Sequence, residues 1–114
     1  MIEIKKGDSS ICRARVANTF FSRFRGLMFK RELSKEEGFL IEFSKRLGSQ
    51  SIHGFFMRFP LDLVFIDGEK KIVELASLHP YRLYSPKKKS FWVLEVNKGF
   101  VKKNGLTIGD RLQF

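Results

Sequence analysis

The stretch from His53 to Gly68, HGFFMRFPLDLVFIDG, combines residue types that could form a small binding or catalytic site. Strand alternation places Asp62 on the same face as Val64, so a carboxylate falls on an apolar face. A buried carboxylate needs hydrogen bonds or a cation, and Arg58 is the nearest cation in the sequence. We therefore expect Asp62 either to form a structural ion pair or to act as a ligand-binding or acid-base group.

Three further residues join this candidate site. Glu95, in WVLEV, alternates onto the face of Val93 and is a second acidic group in an apolar strand. His53 could act as a general base or proton shuttle, or be an ordinary hydrogen-bonded histidine at a strand start. Met57 could line an adaptable apolar cavity or belong to the core. If the strands are neighbours, the candidate ligand-binding residues are His53, Met57, Arg58, Asp62 and Glu95.

A second candidate site lies in the basic segment that follows. Cationic side chains alternate there with aromatic rings, a pattern that suits phosphate contacts and base stacking. The alternative is a solvated lysine loop without a partner. The cations are Arg82, Lys87, Lys88 and Lys89, and the rings are Tyr81, Tyr84, Phe91 and Trp92.

Motifs for other chemistries are missing from the sequence. It contains no P-loop, G-x-G-x-x-G, G-x-S-x-G or H-E-x-x-H pattern, so an enzymatic role is the third hypothesis and no cofactor is expected. One cysteine and two histidines give no metal-ligand spacing, so no metal site is expected. Cys12, in the alternating stretch ICRARVA, is expected to be a small core residue on a strand.

Composition bounds the class of protein. A chain of 114 residues with 43% hydrophobic and 30% charged residues predicts one globular domain over residues 1–114. No apolar run is long enough for a membrane helix and no signal region opens the sequence, so we expect a soluble, cytoplasmic protein. The net charge of +10 is spread over both halves and favours either nucleic-acid binding or a thermophilic surface composition.

The elements that would position these residues are mostly short strands. Alternation predicts strands over 2–5, 11–16, 39–43, 61–66 and 91–96, with a hairpin at Asp67-Gly68 and a last strand at the C-terminus. Short helices are predicted at 19–25 and before Gly105, with a single helical turn at 34–37. No segment offers the ten or more helical residues expected of a parallel crossover. The pattern predicts a mainly β sandwich or barrel with one or two short helices.

Five short motifs, in order, resemble the uncharacterised family called domain of unknown function 192. They are Arg25-Gly26-Leu27-Met28, Glu37-Gly38-Phe39-Leu40, Phe56 to Asp62 with Phe65-Ile66-Asp67, Val93-Leu94-Glu95-Val96, and Gly105-Leu106 with Gly109-Asp110. The resemblance spans nearly the whole chain. It implies a compact β-sandwich of jelly-roll type and no established activity.

The family resemblance also has a local departure. Relatives often carry a tryptophan before the methionine and Lys-Asn-Thr after it, whereas this chain has Phe56 and then Arg58-Phe59-Pro60. The departure resembles an archaeal or thermophile branch of the family.

Two functional hypotheses follow. The leading one is a binding module whose pocket near residues 53–62 takes a small polar or anionic ligand, with Arg58 as anion anchor and Asp62 and Glu95 orienting it. The alternative is nucleic-acid binding through the basic surface.

Overall fold

The computed structural model describes residues 1–17, 36–43, 52–53 and 59–114. The described elements are mostly strands, with one short helix, and the mainly β prediction is confirmed. In chain order they are β1 (Ile2–Lys6), β2 (Ser9–Ala17), β3 (Glu37–Glu42), β4 (Ile52–His53), β5 (Leu61–Ile66), β6 (Ile72–Leu78), β7 (Leu83–Tyr84), β8 (Trp92–Asn97) and α1 (Phe100–Lys103).

Six of the strands form one sheet in the order β1-β2-β3-β8-β5-β6, while β4 and β7 form a separate two-stranded ribbon. All pairs are antiparallel except β2 with β3, which is parallel. The sequence argument against a parallel crossover is therefore wrong at this pair. The connection after Ala17 is long enough to return the chain to the same end of the sheet, and a parallel pair needs such length whatever its secondary structure.

Strand alternation gives the sheet two apolar faces, which we call face A and face B. Face A carries the buried side chains of Phe39, Ile41, Phe43, Leu61, Leu63, Phe65, Leu78 and Val93. Face B carries those of Ile4, Cys12, Ala14, Leu40, Val64, Ile66, Ile72, Leu94 and Val96, with Phe100, Leu106 and Leu112 packed on them. Because both faces are apolar, the interior strand β5 is buried at every position, and a polar side chain on either face is unusual.

The two edges of the sheet are β1 and β6, so it is not closed into a barrel. The last residues of the chain nevertheless bridge both edges, because Gln113 pairs with Lys5 of β1 and Arg111 pairs with Lys71 just before β6. This segment, with α1, covers face B. The predicted C-terminal strand is thus reduced to two isolated bridges.

The predicted hairpin joins β5 to β6, but its turn differs from a two-residue Asp-Gly turn. Asp67 starts a longer turn in which its Oδ1 accepts hydrogen bonds from the N–H groups of Glu69 and Lys71, at 2.9 and 3.0 Å. Lys70, and not Gly68, adopts the left-handed conformation, with φ of 65°. Gly68 is required for a different reason, because a Cβ there would lie 2.8 Å from the ring of Phe91.

The remaining predicted elements divide into two groups. The hairpin of β1 with β2, the strands β3 and β8, and the short helix before Gly105 are confirmed. The helix predicted at 19–25 and the first two residues of the helical turn predicted at 34–37 lie outside the described residues, and Glu37 begins β3 instead of ending a helical turn. Among the described helices, none is long and apolar enough to span a membrane.

Candidate functional site

Glu95 is a carboxyl group buried among apolar side chains, and no contact with a described side chain accounts for its burial. It lies in β8 and is paired with Phe39 of β3 on one side and Leu63 of β5 on the other. Both neighbours belong to face A, so the carboxyl group projects into the apolar side chains of that face. The residue is 3% exposed, and within the described ranges no side chain forms a hydrogen bond or ion pair with its carboxyl group.

The protonation of Glu95 follows from this setting. Burial disfavours the charged form and raises the pKa of the carboxyl group from 4.5 to about 8. At neutral pH the group is therefore mostly a neutral carboxylic acid. Such a group has one O–H donor and acceptor capacity on both oxygens, so it can donate a hydrogen bond to an anion or accept one from a polar ligand.

Asp62 serves a different purpose on the opposite side of the sheet. Its Oδ2 accepts hydrogen bonds from the N–H groups of Gly99 and Val101, at 3.0 and 3.1 Å. These N–H groups belong to the start of α1, where no side chain of the helix itself provides a cap. The carboxylate is 7% exposed and holds α1 against face B, so its described contacts are structural.

Asp62 and Glu95 therefore do not converge. Their strands are neighbours, as the sequence argument required, but Asp62 pairs with Val96 whereas Glu95 pairs with Leu63. Adjacent rungs of a ladder point to opposite faces, so the two carboxyl groups lie on opposite sides of the sheet. A single pocket holding both is ruled out by this register.

Little is described of the other three candidates. His53 ends β4, where its backbone pairs with that of Leu83. Met57 and Arg58 lie outside the described residues. Phe59, the next residue, packs against the cluster of face A, the face on which Glu95 lies.

Glu74 is a buried carboxylate that the sequence analysis did not single out. It lies in the edge strand β6, opposite Phe65 on face A, and is 8% exposed. The Tyr84 hydroxyl donates to its Oε2, and the N–H groups of Lys87 and Lys88 donate to its Oε1, at 2.9 and 2.8 Å. In the sequence IVELASL, a period of two places Glu74 on the same face as Ile72, Ala76 and Leu78. This is the pattern that placed Asp62 and Glu95 on apolar faces.

The electrostatics of Glu74 differ from those of Glu95. Burial by itself raises the pKa of the Glu74 carboxyl group, but hydrogen bonds from Tyr84, Lys88 and Lys87 and the charge of Lys87 outweigh it. The net pKa is lowered, so the group stays ionised. The hydrogen bond to this carboxylate, with burial, raises the pKa of Tyr84 to about 12. Glu74 thus anchors the basic segment to the edge of the sheet.

The basic segment divides into exposed cations and partly buried rings. Arg82, Lys87, Lys88 and Lys89 are exposed. Tyr84 is half-buried, packs on Phe65 at a ring-centroid distance of 5.7 Å and is committed to Glu74. Trp92 is half-buried and packs edge-on against Phe114 at 5.2 Å. Tyr84 and Trp92, two of the four rings proposed for stacking, are therefore engaged within the fold, and Tyr81 is 63% exposed.

Two open clefts occur near α1. One of about 470 Å³ lies beside Cys12 and is otherwise lined by Glu3, Ser10, Ile11, Arg13, Glu36, Lys103 and Asn104. One of about 410 Å³ is lined by Asn97, Lys98, Gly99, Phe100 and Lys103.

Burial raises the pKa of the Cys12 thiol to about 12, so it stays protonated and unreactive. The described part of the chain contains no cluster of three potential metal ligands.

The fold defines a small, mainly β protein, and in its described part the buried carboxyl group of Glu95 on face A has no side-chain partner. Comparison with known proteins places it in a family. The model of the domain of unknown function 192 family, described as an uncharacterised ACR, matches residues 2–114, so the chain belongs to this family.

Relatives of the chain are UPF0127 proteins from archaea. A UPF0127 protein of Pyrococcus furiosus is 32% identical over 114 residues, covering 100% of this chain and 97% of its own length. A UPF0127 protein of Pyrococcus abyssi is 33% identical over 102 residues, covering 90% and 86%. The family resemblance noted in the sequence is thereby confirmed.

Two solved structures share the fold. A protein of unknown function from Novosphingobium aromaticivorans superposes with a TM-score of 0.84 at 23% identity, covering 98% of this chain and 82% of its own. A protein from Sinorhizobium meliloti 1021 that carries a proposed assignment as a transcription regulator superposes with a TM-score of 0.86 at 24% identity, covering 97% and 89%.

Proposed function

We propose that this protein is a binding module that takes a small polar or anionic ligand on face A of its sheet. The observation that carries the proposal is Glu95, a carboxyl group 3% exposed among apolar side chains and without a described side-chain partner. Leaving a buried polar group unsatisfied costs about 1–3 kcal/mol, so a core that keeps one needs a reason outside its own packing. A ligand that completes the hydrogen bonds of Glu95 is such a reason.

The charge state of Glu95 favours the ligand class. A carboxyl group with a pKa of about 8 is protonated at neutral pH and can donate to a carboxylate, phosphate or carbonyl oxygen. An ionised carboxylate would instead repel an anion. In this proposal Arg58 supplies the positive charge, while His53 and Met57 complete the polar and apolar walls. Asp62 is left out because its carboxylate holds α1 on face B.

The route of the chain supports including residues 53–58. They join β4 to β5, and β5 is the strand that pairs with the strand of Glu95. The ribbon of β4 and β7 meets face A through Tyr84, which packs on Phe65. Phe59, which follows the segment, and Tyr84, in the strand paired with β4, thus both pack against the face on which Glu95 lies.

A thermal-shift screen of metabolite carboxylates, phosphates and sugars tests the proposal. A ligand of this site should raise the melting temperature of the wild type, and Glu95→Gln and Arg58→Ala should each reduce the shift. Glu69→Gln is the matched control, because Glu69 is exposed in the hairpin turn and the shift should survive there. A hit whose shift is unchanged in Glu95→Gln, or no hit across the three classes, would contradict the proposal.

A second candidate function is nucleic-acid binding through the basic segment. The observation that favours it is the anchoring of Lys87 and Lys88 by Glu74, which fixes the backbone of a cationic run whose side chains point outward. The Sinorhizobium meliloti protein of the same fold carries a proposed assignment as a transcription regulator, which is consistent with nucleic-acid binding. The logarithm of the binding constant should fall linearly with the logarithm of the salt concentration. A variant that combines Lys87→Ala, Lys88→Ala and Lys89→Ala should reduce the steepness of that line by about 2.

A further inference from the structure

The cleft of about 470 Å³ beside Cys12 lies at a step in the sheet. β3 begins at Glu37, opposite Arg13, whereas its parallel neighbour β2 already begins at Ser9. A volume of several hundred Å³ is in the range that holds a small molecule. The sheet side of the cleft is lined by residues 10–13 with Glu3 and Glu36, and the helix side by Lys103 and Asn104.

The backbone on both sides of the cleft is held by hydrogen bonds. On the sheet side, the N–H of Arg13 donates to the carbonyl oxygen of Glu36 at 2.8 Å. On the helix side, the N–H of Lys103 donates to the carbonyl oxygen of Gly99 at 2.9 Å. The side chains that carry the charges of the cleft therefore start from fixed backbone positions, which lowers the ordering cost of binding a ligand between them.

Charges of both signs line the cleft without neutralising one another. Glu3 is already paired with Lys5, at 3.4 Å. The remaining charged groups are the carboxylate of Glu36 and the cations of Arg13 and Lys103. None of these three forms an ion pair with another side chain in the part of the protein that the structure describes. The cleft thus offers one site for a cationic group and two for an anionic group.

We propose that this cleft binds a free amino acid. Glu36 binds the ammonium group, and Arg13 and Lys103 bind the carboxylate group through charge-assisted hydrogen bonds. Ile11, which is half-buried, and Cys12, which is 2% exposed, supply apolar contacts for an aliphatic side chain. The lining residues are separate from those of the site proposed on face A, so the two proposals stand or fall independently.

A small anion such as phosphate is the competing ligand, because two cations stand against one carboxylate. A simple anion gives Glu36 no partner and places a negative charge near its carboxylate. An amino acid gives all three charged groups a partner of opposite sign. The distribution of charge therefore favours the amino acid.

Two-dimensional ¹H–¹⁵N NMR titrations with alanine, propionate, ethylamine and phosphate test the inference, read at the amide signals of Cys12 and Arg13. Propionate lacks the ammonium group of alanine, and ethylamine lacks its carboxylate group. Alanine should move these signals to saturation. The other three compounds should bind more weakly by roughly 2- to 5-fold or more, since each loses at least one solvent-exposed ion pair.

Substitutions on the two sides of the cleft identify the groups involved. Glu36→Gln and Lys103→Gln should each weaken alanine binding by roughly 2- to 5-fold. Neither should change the melting temperature appreciably, because both side chains are exposed. Glu36→Gln should also strengthen propionate binding, since it removes the repelling carboxylate. Lys102→Gln is the matched control, because Lys102 is the preceding residue of α1, is exposed and does not line the cleft; its affinity for alanine should equal that of the wild type.

Three results would overturn the inference. An alanine titration without saturable shifts would show that the cleft is not a binding site. Propionate or phosphate that binds as tightly as alanine would make it a site for simple anions. Alanine binding that is unchanged in both Glu36→Gln and Lys103→Gln would place the amino acid elsewhere. The proposal for face A is tested separately by Glu95→Gln and is unaffected by these outcomes.

Discussion

Replacing Glu95 by glutamine should stabilise the protein at neutral and alkaline pH and leave it nearly unchanged in acid. The pKa of the Glu95 carboxyl group is about 8 in the folded protein and 4.5 in the reference state. Between these values the unfolded chain has released the proton and the folded chain retains it, so the stability of the wild type falls as pH rises. Glutamine has a similar shape and no proton to lose, which removes this dependence.

The magnitude follows from the same two pKa values. The full difference corresponds to roughly 5 kcal/mol of destabilisation above pH 8, and to about 3 kcal/mol at pH 7. For a domain of this size a change of about 3 kcal/mol shifts the melting temperature by roughly 10 °C. Below the reference value both side chains are neutral, and the two proteins should unfold with similar free energies.

Urea unfolding of both proteins across a pH series measures the effect. The useful quantity is the difference between wild type and Glu95→Gln at each pH, because contributions from all other titrating groups cancel in it. That difference should rise from near zero in acid to a plateau in alkali. A difference that does not change with pH would refute the reasoning, since it would mean that Glu95 titrates alike in the folded and unfolded chains.

Three further substitutions test the structural contacts. Asp62→Ala should cost about 2–4 kcal/mol in urea unfolding by stranding the N–H groups at the start of α1, with Asp62→Asn losing less; equal stability would show that the cap is unimportant. Glu74→Gln should lower the Tyr84 pKa from about 12 toward 10 in an alkaline absorbance titration, and an unchanged tyrosine pKa would contradict the anchoring. The same substitution should remove the stability that the ionised Glu74 gives the wild type above pH 4.5, which the wild type loses as pH falls through the lowered pKa of Glu74. Gly68→Ala should cost about 1–2 kcal/mol because its Cβ meets the ring of Phe91, and a neutral effect would show that the ring moves aside freely.

Much of the sheet could be predicted from alternation, and the exceptions have physical reasons. The strands around Ile41, Leu63 and Leu94 are short apolar runs bounded by turn residues, so their existence was secure. The parallel pairing of β2 with β3 was missed because pairing direction is set by the long connection between them and leaves no local signature. The Asp67-Gly68 turn was found, but its geometry was set by the Asp67 side chain and by Phe91, which is distant in sequence.

The candidate site was predictable only in part. Alternation correctly assigned Asp62 and Glu95 to apolar faces, but the face assignment of one strand relative to its neighbour depends on register, which the sequence does not reveal. The partners of Asp62 are backbone N–H groups at Gly99 and Val101, and no residue-type pattern marks such a contact. Glu74 shows the same alternation in IVELASL, so this pattern marks a carboxylate on an apolar face in β6 as it does in β5 and β8.

The measurement that most directly tests the central claim is the titration of the Glu95 carboxyl group itself. The carboxyl carbon can be observed by ¹³C NMR in uniformly labelled protein and assigned by its absence in Glu95→Gln. The account predicts a single titration with a midpoint near 8, reflecting a neutral acid buried on face A. A midpoint near the ordinary value of 4.5 would show an ionised or solvated carboxylate and would contradict the proposed binding site.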